Sequence, residues 1–447
     1  MQLKKPGACR ASLAAATLGL LGAPAAQAAP LEDADRPWIF DSAVLAYSET
    51  GGRVQAIEPV LDLSKDFGDL HVFSARLVFD SLSGASPNGA APASTPQTFS
   101  RPSGGSGGYT TRANQTPLDP SFKDQRVALS GGYEFPFGDA SRFGFGLSGS
   151  KEHDFTSAGG NLRYSVDFNE HDTTLSAGLN VEADRINPIG GAPTPFAAMA
   201  PAGGGDDEGG EGGGDDEGGE GEGGGGGAAK SKTVADLVLG VTQVLDPRSL
   251  VQFNAALSRS SGYQNDPYKI LSVVGSDGEP IDYVYESRPS QRTKASLFAR
   301  YKRFLFERDV ADVSYRFMRD DWGIQSHTVD ASYRWNFAAH DYVEPHLRWY
   351  TQTAADFYHP AIYDGQQDTL QDASADPRLG AFDAWTAGFQ YGHVFAGGNE
   401  ISARLEAYRQ FGKDAGIPPQ AAAGLAKFDL KPDLTALMFT LGYRFKW

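Results

Sequence analysis

Cysteine is almost absent: Cys9 is the only one in the chain. It precedes an apolar segment that reads as a removable leader, so the mature chain is expected to hold no disulfide and no thiolate nucleophile. No Cys-x-x-Cys-His is present, which excludes covalent attachment of a c-type haem. Long apolar runs are scarce as well. Beyond the leader nothing approaches the roughly 20 apolar residues of a membrane helix, and mean hydropathy is −0.37. Positive charge is in deficit: 39 Lys and Arg face 56 Asp and Glu, a net charge of −17. An acidic chain argues against a nucleic-acid partner. Catalytic signatures are missing too, with no Gly-x-Ser-x-Gly elbow and no His-Glu-x-x-His. The best acid–base groupings are Glu152-His153-Asp154 and Asp356 with Tyr358-His359, and their spacing carries no mechanism. The expectation is therefore no enzyme, no catalytic residue, no cofactor and no metal site.

The N-terminus is built for export. Lys4, Lys5 and Arg10 precede the apolar stretch Leu13 to Leu21, and Ala26-Gln27-Ala28 forms a small-x-small cleavage site. Residues 1–28 read as a signal peptide removed before Ala29, leaving 29–447 as the mature protein.

What is abundant is period-two alternation. Segments of about ten residues with apolar side chains at every second position recur along the chain, about sixteen in all. They fall at Ile39–Ser48, Val54–Ser64, Leu70–Ser81, Gln125–Phe135, Arg142–Ser150, Asn161–Phe168, Thr173–Asp184 and Thr233–Val244. The second half continues with Leu250–Ser260, Arg292–Lys302, Asp309–Arg319, Thr328–Phe337, Tyr342–Thr353, Ala384–Phe395, Glu400–Gln410 and Thr435–Trp447. The last places Leu437, Phe439, Leu441, Tyr443, Phe445 and Trp447 on one face and Thr440, Gly442, Arg444 and Lys446 on the other. A strand this apolar needs a partner along its edge and a cover on its face. A closed barrel in a bilayer supplies both, because half of each strand faces lipid and half a polar lumen.

The connections sort by parity. If the first strand runs outward, the even connections are short, such as Lys65 to Asp69, Pro136 to Asp139, Asn169 to Asp172 and Ala396 to Asn399. Most odd ones are long, above all Leu82 to Asp124, Arg185 to Lys232, Gly262 to Gln291, Ala354 to Asp383 and Phe411 to Leu434. Short turns on one side and long loops on the other characterise membrane barrels. The expected fold is an all-β transmembrane antiparallel barrel of about sixteen strands, with short periplasmic turns and long extracellular loops. One odd connection carries a tandem Gly-Gly-Gly-Asp-Asp-Glu-Gly-Gly-Glu within residues 203–227. Glycine and like charges cannot bury a core, so this acidic insert is expected to be disordered.

Several strings resemble one bacterial family. They include Ser81 to Gly89, Gly240 to Leu245, Gly262-Tyr263-Gln264-Asn265-Asp266-Pro267-Tyr268-Lys269, Glu286-Ser287-Arg288-Pro289, Tyr315 to Gly323 and Gln352 to Tyr358. Together they resemble the uncharacterised outer-membrane family known as domain of unknown function 3570, over nearly the whole mature chain. The resemblance implies a Gram-negative outer-membrane protein encoded near thioredoxin-like proteins, small lipoproteins and flavin transferases. It implies no role for any single residue. The terminal aromatic Trp447, with Phe445 and Tyr443, also resembles the signal by which the barrel-assembly machinery recognises its clients. Together with Trp322 these residues are candidates for an interface girdle among outer-membrane lipid.

Assigning the apolar faces to lipid leaves charge inside. Arg300, Arg316, Arg334, Arg348 and Arg404 fall in the later strands, and Glu134, Asp167 and Glu182 in the earlier ones. All are candidate pore-lining residues. The two sets either oppose each other across the lumen, imposing a transverse field on solutes, or pair where they stand and merely satisfy the interior. Two functions follow: a channel or porin-like pore for small polar solutes, or an outer-membrane scaffold that sheathes a periplasmic or lipoprotein redox partner.

Overall fold

The structure is a computed structural model that describes residues 36–100, 108–188, 191–199, 229–306, 308–413, 416–431 and 433–447, apart from the side chain at 121. The leader with its cleavage site before Ala29, and the acidic insert at 203–227, lie outside the described residues.

Sixteen antiparallel strands close into one barrel. In chain order they are β1 (Trp38–Glu49), β2 (Gln55–Asp66), β3 (Val72–Pro87), β4 (Leu118–Pro136), β5 (Ser141–Lys151), β6 (Phe155–Phe168), β7 (Thr173–Ile186) and β8 (Lys230–Asp246). The circuit continues through β9 (Ser249–Gly262), β10 (Gln291–Leu305), β11 (Asp309–Asp320), β12 (Gln325–Arg334), β13 (Asp341–Gln352), β14 (Phe382–Val394), β15 (Glu400–Gly412) and β16 (Leu434–Lys446). Closure is made by β1 on β16, from Ile39↔Lys446 to Glu49↔Ala436. Trp38 and Trp447 extend this ladder by exchanging backbone hydrogen bonds at 2.8 and 2.9 Å. Within the barrel itself no edge strand is left to pair with another chain.

The outward face explains why the chain needs a bilayer. Leu147 is 71% exposed, and Leu129, Leu162, Leu179, Phe253 and Leu297 stand out beside it around the wall. In water, each large side chain left exposed forgoes about 1.5–3 kcal/mol of burial. A belt of them is stable only against hydrocarbon. At the turn end the belt is edged by aromatics. Trp38 meets Phe67 and Phe73 edge-on, each at 6.2 Å, Phe135 packs on Phe143 at 5.7 Å, and Trp335 on Phe337 at 5.6 Å. Phe40 stacks on Phe445 at 4.6 Å, while Trp447 is 80% exposed at the rim. Amphipathic rings at this height suit the lipid–water interface.

The short turns have local causes. Asp66 Oδ1 accepts from the Gly68 N–H at 2.8 Å, and Asp246 Oδ1 accepts from the Arg248 N–H at 2.7 Å. Each is a side chain completing a turn that the backbone cannot complete alone. At the opposite end, Gly84 has φ +121, and a Cβ there would strike the Arg53 carbonyl. This glycine permits the register shift between Gly84 and Ser86 where β3 and β4 rise beyond the belt.

The long loops do not trail into solvent. Ile270–Val274 lies between Pro280–Tyr285 and Ile362–Tyr363 in a three-stranded sheet, and Gln97–Ser100 pairs with Gly108–Thr111. Leu271, Val273, Val284, Ile362 and Ala373 form one buried cluster, and Ala91, Val274, Ala361, Ala421 and Leu425 form another. Loops far apart in the chain thus share a packed cap.

Candidate functional site

The cap sits inside the outer half of the lumen, as burial along the inner face shows. On β8 the inward residues Lys232, Val234, Asp236 and Val238 are buried, whereas Gly240, Thr242 and Val244, nearer the turns, are partly exposed. On β16 the sequence is Leu434, Ala436 and Met438 buried, then Thr440 and Gly442 partly exposed, then Arg444 and Lys446 exposed. Both strands run from the long loops toward the short turns, and exposure rises the same way along each. The outer half of the lumen is therefore filled by loop, and the periplasmic half is lined by wall that water reaches.

The wetted half carries most of the candidate lining residues, and most of them pair in place. Arg300 makes a close ion pair with Asp312, its neighbour on β11. Arg334 reaches Glu344 at 2.8 Å and Arg348 reaches Asp330 at 2.6 Å. Arg404 lies 3.5 Å from Glu344 and 3.4 Å from Glu406. His346 bridges Glu406 at 2.6 Å and Asp330 at 3.1 Å. On the acidic side, Arg163 reaches Glu134 at 3.5 Å, Arg142 reaches Asp167 at 3.2 Å, and Ser157 donates to Glu182 at 2.6 Å. Of the two arrangements open to these charges, local pairing is the one realised. Side chains on adjacent strands meet over a few ångströms, whereas charges on opposite walls are screened by the intervening water.

Arg316 is different. Among the described residues no carboxylate pairs with it. Its guanidinium instead lies 5.5 Å from the centre of the Phe298 ring and repels Arg348.

The cap is held by a buried ionic cluster assembled from two loops, the β9–β10 and β13–β14 connections. Arg288 binds Asp376 at 2.9 Å and Glu286 at 2.6 Å. Arg378 clasps Asp376 through Nε at 2.6 and 2.8 Å and reaches Asp266 at 2.6 Å. Burial pushes the Asp376 carboxyl upward, but Arg378 and Arg288 outweigh it and hold it well below the usual carboxylate range. Burial raises Glu286, which Arg288 offsets only in part. Lys269 donates to the Pro87 carbonyl at 2.5 Å, tying the cluster to the end of β3. Gln352 at the end of β13 donates to the Arg378 and Gly380 carbonyls at 3.0 and 2.7 Å, tying it to the opposite wall.

Trp322 corrects an expectation. It is 2% exposed, packs edge-on against Phe357 at 5.0 Å, and donates from Nε1 to the Gln291 carbonyl at 2.8 Å. The loop core claims it, because its turn folds back over Arg292, whose guanidinium lies 4.3 Å from the ring. The Tyr268 hydroxyl donates to Asp154 at the rim. Tyr443, Phe445 and Trp447 do occupy the outer surface near the turn end.

The rim acids respond to pH. Glu152 is pushed up to about 7, first by burial and then by Asp124, with Arg126 opposing and Asp154 adding to the rise. A raised carboxyl favours the fold in its neutral form, so this contribution is complete below the ordinary range near 4.5 and is lost as pH rises through about 7. Protection factors of the amides in residues 152–154, with the base-catalysed intrinsic rate divided out, should fall across that window, and Glu152→Gln should flatten the dependence.

Between cap and wall lies a cavity of about 430 Å³, bordered by inward side chains of β1, β13, β14, β15 and β16 and by loop residues at 87–92, 358–378, 429–431 and 433.

A family model described as "Protein of unknown function (DUF3570)" matches residues 10–445. No curated protein matches the sequence. Among solved structures, the chain is similar to CdiB from Acinetobacter baumannii at 7% identity and a TM-score of 0.43, covering 92% of this chain but only 60% of CdiB. It is similar to a bacterial polysaccharide outer membrane secretin at 8% identity and 0.43, covering 94% of this chain and 100% of the secretin. A ferric enterobactin receptor mutant from Pseudomonas aeruginosa gives 9% and 0.42, with 84% of this chain and 54% of the receptor covered.

Proposed function

The chain belongs to that family of unknown function, and from this premise we propose that it is an outer-membrane channel for small polar solutes, closed at its outer mouth by the folded cap. The observation that carries the proposal is the burial gradient on the inner face: a wetted, ion-lined half-lumen opens to the periplasm and ends beneath a plug of loops. A barrel of sixteen strands is wide enough for an aqueous path once the plug moves. The proposal assigns the chain no catalysis. It includes insertion by the barrel-assembly machinery after loss of a leader before Ala29, and residence among outer-membrane lipid.

The test is planar-bilayer recording of the purified barrel. Discrete conductance is expected, and Arg316→Gln should shift the reversal potential toward cations, because it removes a charge that nothing nearby offsets. Arg334→Gln and Arg348→Gln should shift it the same way by uncovering Glu344 and Asp330. Conductance indifferent to all three would count against a path along this wall.

A second reading has its own support. A lumen wetted from the periplasm and closed outward is also the shape of a sheath for a periplasmic or lipoprotein redox partner. A sheath would stay silent in bilayers even with the cap disrupted, and would retain its partner through outer-membrane extraction.

A further inference from the structure

We propose that the cavity beneath the cap is a binding site for a small planar aromatic monocarboxylate. The body of the ligand is set by the rings. Tyr47, Tyr350, Tyr358, Phe382 and Tyr408 line the cavity. Three of these tyrosines have their hydroxyls tied down by the same device, donation to the residue two positions along the strand. Tyr47 donates to Glu49 at 2.8 Å, Tyr350 to Gln352 at 2.7 Å and Tyr408 to Gln410 at 2.8 Å. Satisfied hydroxyls leave ring surface, not donors, for an incoming molecule, and ring surface favours a flat apolar partner. The volume lies within the range of small-molecule sites.

The charge of the ligand is set by Arg348, which also lines the cavity. Its Nε is spent on Asp330 at 2.6 Å, and among the described residues no partner takes its terminal nitrogens. Arg316 stands nearby without a carboxylate and repels it. The registers set Arg316 beside Thr328 and Thr328 beside Tyr350, so the second cation lies level with a cavity ring. A carboxylate accepting from the Arg348 terminal nitrogens would make a charge-assisted contact and relieve that repulsion. Arg53, Arg378, Asp429, Lys431 and Asp433 also line the cavity, with Arg53 held by Glu49 and Arg378 by Asp376. The terminal nitrogens of Arg348 beside the aromatic surface therefore favour an aromatic acid.

This site deepens the channel reading by naming its solute class, and it rests on that reading only for passage, not for binding. The test is calorimetric titration of the purified barrel with benzoate, benzamide and acetate, alongside bilayer recording. Benzoate should bind at least roughly tenfold more tightly than benzamide, which keeps the ring and drops the charge, and than acetate, which keeps the charge and drops the ring. Arg348→Gln combined with Asp330→Asn removes the guanidinium without orphaning its partner and should weaken benzoate by a similar factor. Tyr408→Leu leaves every charge in place and should weaken it as well. No benzoate binding, equal affinity for benzamide, or indifference to the double substitution would overturn the site. Binding without conductance would keep the site and sink the channel, whereas conductance without binding would do the reverse.

Discussion

Asp376→Ala should open the outer mouth. The substitution leaves Arg288 and Arg378 buried without the carboxylate that both engage, and breaking a buried pair from one side costs about 3–5 kcal/mol. The barrel ladder does not share in this loss, because the charged members of the cluster all lie in loops and meet the wall only at the strand ends Pro87 and Gln352. The heat-modifiable gel shift should therefore persist. The cap itself should yield: protease cleavage within residues 353–381 should accelerate by roughly a hundredfold or more if opening is equilibrated, and conductance should rise. Acid should act in the same direction. The Asp376 carboxyl is held below its ordinary value, so its stabilisation is present above the ordinary carboxylate range and fades as pH falls through the depressed value. An Asp376→Ala barrel with a protease-resistant cap and unchanged conductance would remove the cluster from the gate.

Leu179→Arg should destabilise the barrel by about 2–4 kcal/mol. Leu179 is 54% exposed and pairs with Leu162 on one side and Leu237 on the other, in the middle of the apolar belt. On a water-facing surface the same exchange would fall within about 0.5 kcal/mol. The predicted cost therefore measures the solvent outside the wall as well as the residue. Equilibrium unfolding from lipid vesicles reads it. A neutral result would place this face in water and contradict the membrane assignment.

The strands were legible because one physical rule, lipid outside and water inside, acts on every second residue. Where that rule lapses, the boundaries moved. β3 and β4 reach Pro87 and Leu118, beyond the expected Ser81 and Gln125, because their tips pair above the belt, where alternation is not enforced. β12 ends at Arg334 instead of Phe337, leaving Trp335 in an isolated bridge with Val343. The cap was not legible. Its contacts join Glu286 to Ser374 and Lys269 to Pro87, across many intervening residues and with no period to announce them. The strings that carried the family resemblance still held a signal. Asp266, Lys269, Glu286 and Arg288 lie in those strings and form the cap's buried lock. The lumen was half legible: alternation sets the wall positions of the arginines, but nothing in the sequence marks Asp312 as the carboxylate that neutralises Arg300.

The central claim is a lumen that water enters from the periplasm and that the cap closes from outside. A membrane-impermeant maleimide tests it directly, since Cys9 is the chain's one native cysteine. Ser276→Cys marks the exposed outer loop, and Ser402→Cys marks the inner wall of β15 on the periplasmic side, opposite Gly442. On intact cells the account predicts rapid labelling at 276 and none at 402, with 402 reacting once reagent reaches the periplasm. Labelling at 402 from outside as fast as at 276, or no labelling there from either side, would contradict it.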